Sequence, residues 1–132
     1  MSGVVLDTHT AIWYICEPGN LGKAAANAIE GAWSAGDYLY VSAISLVEIV
    51  YLEEKRRIPE GSMDAILEVL TDENGFVIIP LDEAVAQAIR GIPRADVPDM
   101  PDRIITATAI HLNLPLVTRD GKIRSSNVKT IW

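Results

Sequence analysis

The chain has 132 residues, a formal net charge of −7, 49% hydrophobic and 22% charged residues, and one cysteine. This length predicts a single domain over residues 1–132 that buries about two-thirds of its unfolded-state surface. The lone cysteine excludes an internal disulfide, and the acidic balance argues against a general nucleic-acid coat protein, which needs a basic face. No apolar run approaches the roughly 20 residues that span a bilayer, and no signal-peptide pattern is present. We therefore expect a cytoplasmic protein without membrane contact.

The first half of the chain alternates short apolar runs with helical periodicity. The run VVLD predicts a buried strand, and the segment after it predicts a helix that Pro18-Gly19 ends. Pro59 and Gly61 separate two further helical segments. The predicted elements are a strand at 4–7, helices at 8–17 and 22–35, a strand at 38–42, and helices at 45–57 and 62–73.

The second half continues the alternation. The run FVIIP predicts a strand, and acidic residues open the helix after it, as the helix dipole favours. The predicted elements are a strand at 76–80, a helix at 82–90, a Pro-rich loop at 91–101, a helix at 102–112, a strand at 115–118, a turn at 119–122 and a strand at 128–132. Nearly all-apolar strands alternating with helices indicate an α/β fold with a parallel sheet covered on both faces.

Binding sites in such sheets form at the carboxyl ends of the strands, where Asp7 follows the first strand. Asp7 can alternatively be the N-cap of the helix that begins at Thr8. Glu48 lies among apolar residues early in the helix at 45–57, where a carboxylate needs a cation if it is buried. The alternative for Glu48 is a capping box, because Ser45-Leu-Val-Glu48 fits the pattern S-x-x-E.

Three further acids occupy comparable places. Asp99 and Asp102 flank Met100-Pro101 at the start of an apolar helix, and both can simply be residues that favour a helix N-terminus. Asp120 follows the strand at 115–118, and Asp-Gly is also a common turn dipeptide. Each alternative is reasonable for one residue, but together the acids gather at one edge of the sheet.

Several carboxylates can meet at one edge without strong mutual repulsion only if cations neutralise them. Carboxylate oxygens are hard ligands that suit Mg²⁺ or Mn²⁺. Such ions bind phosphate oxygens and activate water for in-line displacement, so phosphodiester hydrolysis is the reaction class that this arrangement predicts. We interpret the two histidines, His9 and His111, as structural residues.

The order of these motifs resembles that of PIN-domain proteins, and most closely VapC-type toxins of bacterial toxin–antitoxin pairs. The resemblance rests on LDTHTAIW, SAISLVEI, PDMPDRIITATAIHLNLPLVTRDGKI and the closing VKTIW, and it therefore covers essentially the whole chain. It implies a three-layer α/β/α sandwich with a mainly parallel central sheet. It also implies Mg²⁺- or Mn²⁺-dependent cleavage of single-stranded RNA, often tRNA or rRNA, by metal-activated water.

Carried over by motif, the resemblance assigns residues to an acidic pocket. The catalytic and metal-binding acids are Asp7, Glu48, Asp102 and Asp120, with Asp99 as a secondary metal candidate. Many relatives have Asp-Pro-Phe-Asp where this chain has Asp99-Met-Pro-Asp102, and we assign Asp102 because the helix start and the next Arg align on it. Thr8 and Thr118 are supporting residues.

The resemblance also suggests how an acidic protein holds RNA. The last 22 residues carry four basic residues against one acidic residue, and a local basic rim can hold the backbone beside a metal-screened pocket. Candidate RNA-binding residues are Arg119, Lys122, Arg124 and Arg103, although Arg103 can equally brace its loop. The implied partners are a cognate antitoxin and a second copy of the chain in a homodimer.

Two other functions remain open at this stage. A PIN-like domain without activity could act as an RNA- or protein-binding module, but no pocket acid is missing from this chain. A phosphoacceptor receiver domain also places acids at strand ends. Receiver domains, however, carry paired acids after the first strand, whereas Asp7 is single.

Overall fold

The computed structural model describes residues 2–72, 75–126 and 128–132. Within these residues, five short strands form one sheet. They are β1 (Gly3–Leu6), β2 (Tyr38–Ser42), β3 (Phe76–Ile79), β4 (Leu116–Val117) and β5 (Thr130–Ile131). The strand order is β3-β2-β1-β4-β5, and every neighbouring pair is parallel, as the apolar runs predicted.

Helices connect these strands on both sides of the sheet. In the described part of the chain they are α1 (Thr8–Cys16), α2 (Lys23–Ser34), α3 (Ala43–Glu54), α4 (Ser62–Thr71), α5 (Glu83–Ala88), α6 (Met100–Leu112) and α7 (Gly121–Arg124). Short 3₁₀ turns at Pro18–Asn20 and Ile89–Gly91 follow α1 and α5. Residue 73, at the end of the helix predicted at 62–73, lies outside the described residues.

The two faces of the sheet support separate apolar clusters. Alternate residues of β1 point to opposite faces, as strand geometry requires: Val4 and Leu6 join one cluster and Val5 joins the other. The first cluster contains the buried apolar residues of helices α1 to α4, whereas the second contains those of α5, α6 and α7. The architecture is therefore the expected three-layer α/β/α sandwich.

The strand order places a switch point between β1 and β4. From β1 the chain moves outward through β2 and β3, and then returns to the other side of β1 with β4 and β5. In open α/β sheets a crevice forms where the winding direction changes, at the carboxyl ends of the strands. Asp7 and Thr118 directly follow the two strands that border this switch point.

Three helix starts differ from those predicted by more than one residue. Helix α3 begins at Ala43 and its N-cap is Ser42, so the predicted capping box from Ser45 to Glu48 is wrong. Helix α6 begins two residues earlier than predicted, because Asp99 caps it and Pro101 fits its first turn. The predicted turn at 119–122 is instead the start of α7, which Asp120 caps.

No helix in the described residues has both the length and the apolar character needed to cross a membrane.

The close approach of β1 to β2 at Gly3 can be tested by substitution. The φ of Gly3 is +122°, and a Cβ atom there would lie 2.1 Å from the carbonyl oxygen of Tyr38. We expect Gly3→Ala to lower the free energy of unfolding by at least about 2 kcal/mol. Gly31→Ala is the control: it lies inside α2 with open space around it, so it should stabilise by about 0.5–1 kcal/mol. Urea unfolding measures both, and equal effects would contradict the assigned β1 geometry.

Candidate active site

A cleft of about 340 Å³ opens at the carboxyl edge of the sheet. Five carboxylates line it, four from the starts of three helices and one from a helix interior, together with two aromatic rings, one hydroxyl and one guanidinium. We call it the acidic cleft; its lining residues are Asp7, Thr8, His9, Trp13, Glu48, Asp99, Asp102, Arg119 and Asp120. All five acids singled out in the sequence therefore meet in one place.

Asp7 is both a helix cap and a cleft residue. One carboxylate oxygen accepts the backbone N–H of Thr10 at 2.9 Å and so caps α1. The other oxygen accepts a hydrogen bond from the hydroxyl of Thr118, the buried residue that follows β4. The Thr118 hydroxyl in turn accepts the backbone N–H of Asp120 at 3.0 Å. Thr118 therefore links the two acids that border the switch point.

Asp99 and Asp120 also cap helices with one oxygen each. Asp99 Oδ2 accepts the backbone N–H of Asp102 at 3.1 Å at the start of α6. Asp120 Oδ1 accepts the N–H groups of Lys122 and Ile123 at the start of α7. These residues thus cap helices and also line the cleft, because a carboxylate has a second oxygen that the cap does not use.

Glu48 reaches the cleft from inside α3 and caps nothing. The Thr8 hydroxyl donates to Glu48 Oε1, and the buried Ser45 hydroxyl lies 2.8 Å from the same Thr8 oxygen. Since Thr8 has a single hydroxyl proton and gives it to Glu48, Ser45 donates to Thr8. Burial raises the pKa of Glu48, while the Thr8 hydrogen bond lowers it and the negative charge of Asp99 raises it further. No sequence pattern indicated this role for Ser45.

Among the cleft acids, Asp102 has the largest shift in pKa. Burial, followed by the charges of Asp99, Asp120, Glu48 and Asp7, raises the pKa of Asp102 from 3.8 to about 7. Carboxylates that share a confined site resist ionising together. The shift therefore reflects first the burial of Asp102 and then its closeness to the other four acids.

The donor set is chemically suited to a hard divalent cation, because every acid presents carboxylate oxygen and repulsion favours a cation among them. In residues 2–72, 75–126 and 128–132, no three His, Cys, Asp or Glu side chains are yet close enough to hold an ion as they are placed. The cleft thus provides the ligand type for Mg²⁺ or Mn²⁺, with the acids arranged around a common opening.

The predicted basic residues divide into two groups. Arg119 is exposed and lines the cleft, and Lys122 and Arg124 are exposed on α7 beside it. Arg103 has the geometry of a brace: its Nη2 donates to the carbonyl oxygens of Ile89 and Ile92 at 3.2 and 2.9 Å. These bonds tie α6 to the loop before it.

Two cleft residues were not predicted as site residues. His9, interpreted from the sequence as structural, is exposed and lines the cleft, and Trp13 lines it one helical turn later. Their rings are 5.5 Å apart. The i, i+4 spacing on a helix that begins beside Asp7 places both on one face and could have revealed them.

The pKa of Asp102 predicts an effect of pH on stability. Because the folded-state pKa lies above the ordinary value, folding favours the protonated carboxyl, and this stabilising contribution is lost as pH rises from about 4 through about 7. In EDTA we expect Asp102→Asn to increase the free energy of unfolding by about 1–2 kcal/mol at pH 8, after allowance for solvent screening, and to change it little at pH 4.

Urea unfolding at both pH values measures this difference. Asp96→Asn is the matched control, because Asp96 is an exposed acid outside the cleft and its replacement removes the same formal charge. If Asp96→Asn increases the free energy of unfolding at pH 8 as much as Asp102→Asn does, the increase comes from the lower net charge. It would then not come from relief of repulsion inside the cleft.

Solved structures with the same fold come from toxin–antitoxin systems. VapBC2 from Rickettsia felis, bound to a DNA fragment from its promoter, aligns with a TM-score of 0.73 at 18% identity, covering 98% of this chain and 97% of that one. A toxin–antitoxin complex from Klebsiella pneumoniae aligns with a TM-score of 0.66 at 22% identity, covering 99% and 97%. At these identities the likeness supports the fold.

Sequence comparison establishes the family. Ribonuclease VapC22 of Mycobacterium tuberculosis is 37% identical over 136 aligned positions that cover all of both chains. The sequence profile of the PIN domain matches residues 4–127, which include all five acids of the cleft. The chain with this acidic cleft at the switch point of a parallel sheet belongs to the PIN domain family.

Proposed function

We propose that this protein is a metal-dependent endoribonuclease of the VapC type, the toxin of a toxin–antitoxin pair, which hydrolyses phosphodiester bonds in single-stranded RNA. The observation that carries the proposal is the convergence of five carboxylates in one cleft, where burial and then the charges of the other four acids raise the pKa of Asp102 to about 7. A site with this much gathered negative charge favours a cation, and a bound cation favours a phosphate. The full-length relative at 37% identity bears the name ribonuclease.

The acids proposed to hold Mg²⁺ or Mn²⁺ are Asp7, Glu48, Asp102 and Asp120, with Asp99 as a secondary ligand. A divalent ion bound among them supplies a Lewis acid for the phosphate and water of lowered pKa. The chain contributes orientation: Thr118 fixes one oxygen of Asp7, and the Ser45–Thr8 hydroxyl pair fixes one oxygen of Glu48. These supporting bonds limit the rotamers that the acids can adopt.

The RNA backbone is proposed to lie along the rim formed by Arg119, Lys122 and Arg124. All three are exposed, and they occupy the cleft edge and α7 that follows it. Arginine and lysine at such a rim bind phosphates regardless of base sequence. tRNA or rRNA in the cytoplasm is the proposed target. The relatives of known structure include toxin–antitoxin complexes, which supports an antitoxin partner; a homodimer is proposed from the family resemblance.

Induction of the protein in bacteria that lack its antitoxin tests the function directly. We expect discrete new RNA ends bearing 5′-phosphate, which Asp7→Asn reduces at least about 100-fold because it removes a carboxylate ligand. Asp82→Asn is the matched control: Asp82 caps α5 through Val85 N–H at 3.0 Å, much as Asp7 caps α1, but lies outside the cleft. RNA binding without new ends would instead indicate an inactive binding module.

Thr118→Val tests the support for Asp7 without changing side-chain shape. It removes the donor to Asp7 and the acceptor for the Asp120 N–H. We expect the cleavage rate of purified protein to fall about 10- to 100-fold, and Thr118→Ser, which keeps the hydroxyl, to retain most activity. Circular dichroism and the melting temperature establish that both variants are folded. Equal activity of the two variants would exclude a role for the hydroxyl.

A further inference from the structure

Arg119 is a cation at the mouth of an acidic cleft, yet its guanidinium does not pair with the acids. It lines the same cleft as the five carboxylates and precedes Asp120 in the chain. Its guanidinium lies instead over the Trp13 ring, with the guanidinium carbon 4.6 Å from the ring centroid. Among the described residues no ion pair or hydrogen bond joins Arg119 to a cleft acid.

Trp13 is well placed to hold this cation because its own ring is fixed. It is half-buried on α1 and packs against the apolar cluster beneath that helix. The Trp132 ring lies 5.8 Å from it, tilted by 59°. Trp132 in turn lies against Gly22, where a Cβ atom would come within 2.8 Å of the indole. The Trp13 indole at the cleft rim is therefore supported by the face of α1, by Trp132 and, through Trp132, by the start of α2.

The contact between Arg119 and Trp13 keeps the guanidinium apart from the cleft carboxylates, with which it would otherwise form an ion pair. A guanidinium over an indole keeps its N–H groups at the periphery of the planar group, where they are free to form paired hydrogen bonds with a phosphate. An ion pair with the carboxylates would use the same N–H groups and would also occupy the place of a metal ion. A flat aromatic surface attracts the cation, but it leaves the guanidinium N–H groups free and the place of the metal ion open.

We infer that Trp13 is a positioning residue that holds Arg119 on the cleft rim as a phosphate-binding cation and keeps its guanidinium out of the acid cluster. This inference rests on the proposed ribonuclease function and adds to it a residue pair that binds the RNA backbone. Without the indole, Arg119 turns toward the carboxylates. One change at Trp13 then weakens both RNA binding and metal binding, although Trp13 acts on both only through Arg119.

Four variants separate this role from a packing role. Trp13→Leu keeps apolar bulk and removes the aromatic face, Trp13→Phe keeps an aromatic face, Arg119→Ala removes the cation, and the double variant Trp13→Leu/Arg119→Ala removes both. Trp33→Leu is the matched control, because Trp33 is also a partly exposed tryptophan packed on an aromatic ring. It lies beside Tyr38 and Gly75, at the opposite, amino-terminal edge of the sheet.

The first measurement is Mn²⁺ affinity by calorimetry with no RNA present. If Arg119 occupies the acids in Trp13→Leu for about 90% of the time, the apparent Mn²⁺ affinity falls about tenfold. We expect the double variant to recover at least the wild-type affinity, because the competing cation is gone. A loss that persists in the double variant would refute the inference, since the effect of Trp13 would then not act through Arg119.

The second measurement is binding of a single-stranded RNA oligonucleotide in EDTA at several salt concentrations. Loss of one phosphate contact lowers the slope of log affinity against log salt by about 0.7. We expect this decrease in Trp13→Leu, Arg119→Ala and the double variant alike, and wild-type slopes in Trp13→Phe and Trp33→Leu. A protein destabilised only in its packing would keep the wild-type slope.

The outcomes distinguish this inference from the proposed function. Wild-type protein that binds Mn²⁺ and cleaves RNA, with Trp13→Leu unchanged in Mn²⁺ affinity and salt slope, refutes the inference and leaves the function standing. Wild-type protein that binds neither Mn²⁺ nor RNA refutes both. Recovery of Mn²⁺ affinity in the double variant together with a lowered salt slope supports the inference even if the RNA is not cleaved.

Discussion

Repulsion among carboxylates is the constraint on which the rest of this structure depends. Five acids line one cleft, and the charges of the other four add to the effect of burial in raising the pKa of Asp102 to about 7. Such a cluster persists in a folded protein only if something offsets the charge locally. Backbone N–H groups do part of this: Asp7, Asp99 and Asp120 each direct one oxygen to the start of a helix. Glu48 and Asp102, whose pKa values are raised, cap no helix.

The parallel sheet explains why the caps coincide with the site. Each strand of a βα unit ends where the next helix begins, so N-cap positions collect at the carboxyl edge of the sheet. At the switch point, the carboxyl ends of β1 and β4 border one crevice, so two such N-cap positions face it. An Asp that stabilises a helix there also presents its second oxygen to the crevice. The same residue can therefore contribute to folding and to cation binding, and selection for one does not exclude the other.

The sequence predicted the fold and the acids well because both depend on local pattern. Apolar runs located the five strands of the described residues, and strand ends located Asp7 and Asp120. The capping box at Ser45 failed because the pattern S-x-x-E is also met inside a helix whose true cap, Ser42, lies three residues earlier. Ser45 instead faces Thr8, a residue 37 positions away. A local sequence pattern cannot predict a contact between residues so far apart in the chain.

The same limit applies to the charged rim. Counting charges located a basic end of the chain, but it could not show that Arg119 rests on an indole from α1, 106 positions earlier, rather than on a neighbouring acid. This contact matters more than the net charge of −7. At physiological salt the field of distant charges is screened beyond about 8 Å, so a phosphate in the cleft experiences chiefly the charges that line it. An acidic protein can hold a polyanion there if its fold keeps even one cation apart from its acids.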